Sequence, residues 1–224
     1  MIDYAPISLQ ALKTSAYLFY KLSGYDPSYT AVKEHGPLDP RRRADGRIIL
    51  HFLRSWGCRH LAHHHEREGL RALRGWYDQH AEEIHELPTA VQIKKKHLPL
   101  LKDVFDALSG CLVSPRNRNI TMGPVATSKT LLLIKGNLFA PWDNGIIVGL
   151  DTTADGEGYA EYLQRIQQHL KELSSECRQR GTSIHAIMHQ MTRAHYELPK
   201  LIDEYYYLRF TRKLDAQELV DVLY

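Results

Sequence analysis

Two residues of the 224-residue chain, Lys129 and Asp143, stand where they could act on one substrate. They lie in the stretch I-T-M-G-P-V-A-T-S-K-T-L-L-L-I-K-G-N-L-F-A-P-W-D-N-G-I, from Ile120 to Ile146. A deprotonated lysine amine can form a Schiff base, and a carboxylate beside it can stabilise a cationic transition state or orient a water. The spacing permits a shared cleft. Lys129 precedes the expected end of its helix by about 9 Å along the axis. The segment from Gly136 to Trp142 can double back over about 23 Å. The plainer alternative is a surface lysine and an aspartate that only caps the next helix.

The local signals support a helix, a return and a second helix. Gly123 suits a tight turn, and Pro124 is pre-organised for a first helical position. No breaker follows until Gly136-Asn137, and Pro141-Trp142-Asp143 opens another apolar segment. At a helix start the dipole favours an ionised aspartate.

On these residues the stretch resembles the active-site segment of the helix-hairpin-helix DNA glycosylases, above all the archaeal 8-oxoguanine branch. The matching residues are Gly123 in the hairpin, Lys129-Thr130 in the helix, and Pro141-Trp142-Asp143; together they cover about thirty residues. Here the hairpin has one glycine, Gly123-Pro124-Val125, where the family has two, and the lysine-to-aspartate interval is shorter. The resemblance implies a DNA N-glycosylase with Lys129 and Asp143 as catalytic residues and Trp142 at the base pocket. Gly123 and Val125 would meet the DNA at the hairpin. The expected partner is double-stranded DNA carrying an oxidised purine or a hypermodified phage pyrimidine, in repair or anti-phage defence. No cofactor or metal is expected, and the chain is expected to act as a monomer.

Other residues offer further contacts. Arg42 and Arg43, in the run Arg41-Arg42-Arg43, and Arg116 and Arg118, ahead of the hairpin, could meet phosphates. Tyr206, in Tyr205-Tyr206-Tyr207 beside Arg209 and Arg212, could stack on a flipped base. The alternatives are solvated arginines and packed tyrosines. His60 and His64 would share a helical face near Cys58, yet no Cys-x-x-Cys pair completes a zinc site. Arg54 with His60, and Arg74 with His80, resemble the Arg-x4-6-His motif of the HEPN ribonucleases, a competing reading. A third is a non-catalytic helical nucleic-acid-binding protein in which Lys129 and Asp143 form an ion pair. Trp56-Gly57-Cys58-Arg59 resembles a segment of uncharacterised bacterial proteins and implies no activity.

Composition bounds these readings. With 43% hydrophobic and 25% charged residues the chain reads as globular. A net charge of +3 allows a nucleic-acid partner without demanding one. Three distant cysteines, Cys58, Cys111 and Cys177, give no disulfide framework. No apolar run is long enough for a membrane span, and the N-terminus lacks a signal peptide's basic start, so a cytoplasmic protein is expected. Helical periodicity predicts helices at 7–22, 47–56, 66–85, 100–112, 124–135, 159–180, 183–193, 197–212 and 215–224, and the apolar 144–150 reads as helical or irregular. The polar stretch from Tyr25 to Asp45 reads as a loop, and no strand alternation is present. The expected fold is all-α in a single domain, 1–224, possessing a helix-hairpin-helix-like unit at about 100–150.

Overall fold

The structure is a computed structural model that describes residues 6–23, 26–114, 119–191 and 196–215. The fold is all-α. Among the described residues it contains α1 (Leu9–Leu22), α2 (Asp26–His35), α3 (Arg43–Ser55), α4 (Glu66–Glu86) and α5 (Leu98–Ser109), followed by α6 (Gly123–Lys135), α7 (Asn144–Gly149), α8 (Gly156–Gln179), α9 (Ile184–Gln190) and α10 (Leu198–Tyr206). A π-helical turn, Tyr207–Thr211, extends α10. Between α5 and α6, β1 (Leu112–Ser114) pairs antiparallel with β2 (Ile120–Thr121). No described helix is long and apolar enough to cross a membrane.

The core forms where α5 and α6 pack together and α8 packs on α5. Leu101, Val104, Phe105 and Leu108 on α5 sit at helical spacing and are buried. So are Tyr159, Tyr162, Leu163, Ile166, Leu170 and Leu173 on α8. α6 differs from both because Ala126 through Leu132 are buried without interruption. A helix enclosed on all sides must satisfy its polar side chains internally. Thr130 does so by donating to Ala126 O at 2.9 Å. At its far end, Lys135 donates to the carbonyls of Ile84, His85 and Leu87, which close the C-terminus of α4.

Three expectations about local structure are corrected. The loop expected from Tyr25 to Asp45 contains α2, because Pro27 occupies the second helical position, where it starts a helix instead of breaking one. The helix expected to continue to Leu112 stops at Ser109, and the chain turns into the β1–β2 hairpin. Strands of three and two residues are too short to show alternation. The helical face that His60 and His64 would share does not form, because Cys58–Ala62 is a turn followed by a 3₁₀ segment, His63–His65. Arg116 and Arg118 lie outside the described residues, as does most of the expected terminal helix at 215–224.

Candidate active site

Lys129 and Asp143 line the same cavity, of about 50 Å³, with Phe19, Trp56, Pro141, Trp142, Asp203 and Tyr207. What places them there is a pair of hydrogen bonds one residue away. Ser128 Oγ accepts from Trp142 N at 2.9 Å and lies 3.2 Å from Trp142 O. This clasp joins the residue before Lys129 to the residue before Asp143. The irregular segment between α6 and α7 has carbonyls that no helix satisfies. Two buried tyrosines of α8 meet them: Tyr159 donates to Ala140 O at 2.8 Å and Tyr162 to Pro141 O at 2.9 Å. Both phenols are raised well above their usual range by burial and remain neutral donors.

Lys129 is buried, not a surface lysine. Its Nζ donates to Trp56 O at 2.5 Å and lies 5.8 Å from the centre of the Trp56 ring. Trp56 offers that carbonyl because Gly57 ends α3 in the left-handed region, with φ +85°. Gly57 N bonds to Arg54 O and Cys58 N to Leu53 O, the pair of bonds that closes a helix on a left-handed glycine. The Trp56-Gly57-Cys58 stretch therefore bounds the site. Cys58 is buried beside it; desolvation pushes its thiol up and the Lys129 charge pulls it back.

Asp143 caps α7, accepting from Ile146 N at 2.8 Å through Oδ1. The Thr211 hydroxyl donates to the same carboxylate, 2.8 Å from each oxygen. Thr211 can come this close because α7 carries glycines at 145 and 149. A Cβ at Gly145 would lie 2.4 Å from Thr211 Oγ1, and one at Gly149 would lie 2.3 Å from the Phe210 ring. Lys129 and Asp143 share the cavity but form no ion pair with each other among the described residues. The ion pair on which the non-catalytic reading rests is absent from this arrangement.

The remaining candidates divide. Trp142 lines the cavity and is fully buried, stacked on Tyr162 with ring centres 5.9 Å apart. Its Nε1 has no hydrogen-bond partner among the described residues. Tyr206 is not brought to the cavity. It is buried in the aromatic core against Tyr162 and Phe210, its hydroxyl 2.6 Å from His169 Nε2. Gly123, with φ +72°, makes the turn from β2 into α6, and Val125 follows, half-buried, at the helix start. Arg42 and Arg43 are exposed at the start of α3, about 20 Å along that helix from Trp56. Arg42 bridges Asp45 at 2.6 Å.

The arginine–histidine spacings do not become pairs. Arg54 donates to Leu61 O at 2.6 Å and meets His63 at 3.1 Å, whereas His60 lies 2.9 Å from Met122 O. Arg74 pairs with Asp78, and His80 with Glu83. Among the described residues no group of three His, Cys, Asp or Glu side chains could hold a metal ion.

Sequence reasoning missed Asp203 and Lys200. Lys200 is fully buried, 3.0 Å from Asp203 Oδ2 and 3.2 Å from Glu204 Oε1, with its Nζ 4.0 Å over the Phe19 ring. Burial pushes the Asp203 carboxyl up to about 7, against the pull of Lys200; Asp143 and Glu204 add to the rise. The signal was L-P-K-L-I-D-E-Y-Y, three charges at i, i+3 and i+4 within an apolar helix. Comparison with protein-family models, curated proteins and solved structures returns no match to this chain.

Proposed function

We propose that this protein is a DNA N-glycosylase that flips a modified base out of double-stranded DNA and excises it, leaving an abasic site. One observation carries the reading: Lys129 and Asp143 line one cavity while each is held by other partners, Lys129 by the Trp56 carbonyl and Asp143 by Thr211 and Ile146 N. An amine and a carboxylate so arranged suit a reaction in which positive charge builds on a sugar carbon. The resemblance of the 120–146 stretch to glycosylases points the same way. A base inside the stack is out of reach, so the target nucleotide must be extruded. A cavity of about 50 Å³ has room for about one or two waters but not for a base. Its walls at Phe19 and Tyr207 must therefore yield when DNA binds.

In the reaction the C1′–N bond breaks and its electron pair leaves with the base. The Asp143 carboxylate stabilises the cationic sugar. Water, or the Lys129 amine after it has lost a proton, then bonds to C1′. Attack by Lys129 gives an imine that can proceed to strand cleavage. The substrate class is an oxidised purine or a hypermodified pyrimidine of phage DNA, which places the protein in repair or in defence. The test incubates the protein with bacterial and phage DNAs carrying different base modifications and labels aldehydes. Abasic sites should form with the native protein and fall by at least about 10²-fold with Asp143→Asn. Strand breaks, where they occur, should require Lys129 and be lost in Lys129→Gln. No abasic sites on any DNA would overturn the proposal.

A further inference from the structure

Asp203 is the cavity residue to which the glycosylase chemistry gives no task. It enters from α10, whereas Asp143 enters from the start of α7. The two carboxyls are held in contrasting ways. Asp143 receives hydrogen bonds from the Ile146 amide and from Thr211, both of which suit an anion that only accepts. Asp203 has Oδ2 bound to Lys200, while Oδ1 has no hydrogen-bond partner among the described residues. Its side chain keeps 7% of its surface accessible, at the cavity it lines.

Burial explains how Asp203 can carry a proton. Lys200 serves both Asp203 and Glu204, and all three are buried. An ionised carboxylate is costly to bury, and a proton on Asp203 removes that cost. The carboxyl is pushed up to about 7, first by burial. The other titratable groups facing it are Asp143, Lys129 and Tyr207 around the cavity and, behind it, the three buried phenols of Tyr29, Tyr159 and Tyr162. Burial holds those three phenols neutral. Two carboxyls in one site, one in anion-favouring surroundings and one able to stay protonated, divide naturally into stabiliser and acid.

We propose that Asp203 is the general acid of this site, protonating the departing base while the Asp143 carboxylate faces the sugar. The inference rests on the glycosylase reading. As the C1′–N bond breaks, its electron pair passes to the base, and the proton on Asp203 Oδ1 moves onto a base nitrogen or oxygen. Water or the Lys129 amine bonds to C1′ and releases a proton to solvent. The Asp203 carboxylate left behind is held by Lys200 until solvent returns a proton.

Single-turnover base release from modified DNA, followed as a function of pH, tests the proposal. The native rate should fall about tenfold per pH unit above about pH 7, as the acid loses its proton. Asp203→Asn should lower the rate about 10²- to 10⁴-fold below pH 7 and abolish the falling limb. Asp203→Glu, which keeps an acid, should restore that limb. An Asp203→Asn variant with the native rate and profile would overturn the proposal while leaving the glycosylase reading intact. So would a native profile without the falling limb, a result that needs no folded variant. Absence of base release by the native protein would remove both.

Discussion

Around the cavity, α6 and the Pro141–Asp143 segment are joined through neutral hydroxyls, whereas α10 reaches it through a buried cluster of charge. On the first side, Ser128, Tyr159 and Tyr162 each meet a main-chain group of residues 140–142 at 2.8–3.2 Å. These bonds do not change with pH near neutrality. On the second side, Lys200, Asp203 and Glu204 share one ammonium among two carboxyls. Their balance shifts with a single proton. One wall thus fixes the spacing of Lys129 and Asp143 while the other sets the protonation state of what faces them.

The largest test of this contrast removes the ammonium. Lys200→Ala takes the ammonium away from two buried carboxyls and should cost about 3–5 kcal/mol in urea unfolding. The loss should be greater at pH 8 than at pH 5. Asp203 binds its proton more tightly folded, at about 7, than its ordinary value of 3.8. Its stabilising contribution is therefore complete below about 3.8 and lost as pH rises through about 7. A loss equal at both pH values would break the comparison from the charged side.

On the neutral side, Ser128→Ala leaves Trp142 N without its acceptor and should cost about 1–3 kcal/mol, independent of pH between 5 and 8. Urea midpoints across that range check it; a pH-dependent cost would mean that the two walls are not separate. The smallest effect at neutral pH is expected at His169. Burial lowers its imidazole from 6.5 to about 4, so it stays neutral against Tyr206. This depressed histidine contributes fully above about pH 6.5 and loses its contribution as pH falls through about 4. His169→Gln should leave stability at pH 7.5 little changed and make the acid limb shallower. An unchanged acid limb would show that the aromatic core takes no part in the pH response.

Legibility in the sequence followed the same division. The neutral wall is local: a Gly-Pro entry, a stop at Gly136-Asn137 and a Pro-Trp-Asp return lie within thirty residues, and each carries its own signal. Asp143 as cap and Lys129 on the preceding helix were therefore readable. The charged wall depends on packing between distant segments. α10 packs on α1 and α8, and the rings of Phe19 and Trp56, from α1 and the end of α3, lie against Lys200 and help bury it. Tyr206 shows the same limit, since its neighbours Tyr162 and His169 come from α8. The i, i+4 glycines of α7 were visible as residues, but what approaches them begins sixty residues later.

The π-helical turn at Tyr207–Thr211 makes the site sensitive to helical phase. Arg212 N bonds to Tyr207 O, five residues back, one more than an α-helix allows. That extra residue sets the angular register at which Thr211 and Phe210 meet Gly145 and Gly149. Deleting one residue from this turn would restore an α-helical repeat and rotate everything beyond it by about 100°. Such a shortened chain could keep Lys129, Asp143 and Asp203 and still present the wrong side chain to the Asp143 carboxylate. Length at this point is thus as much a determinant of the site as residue identity.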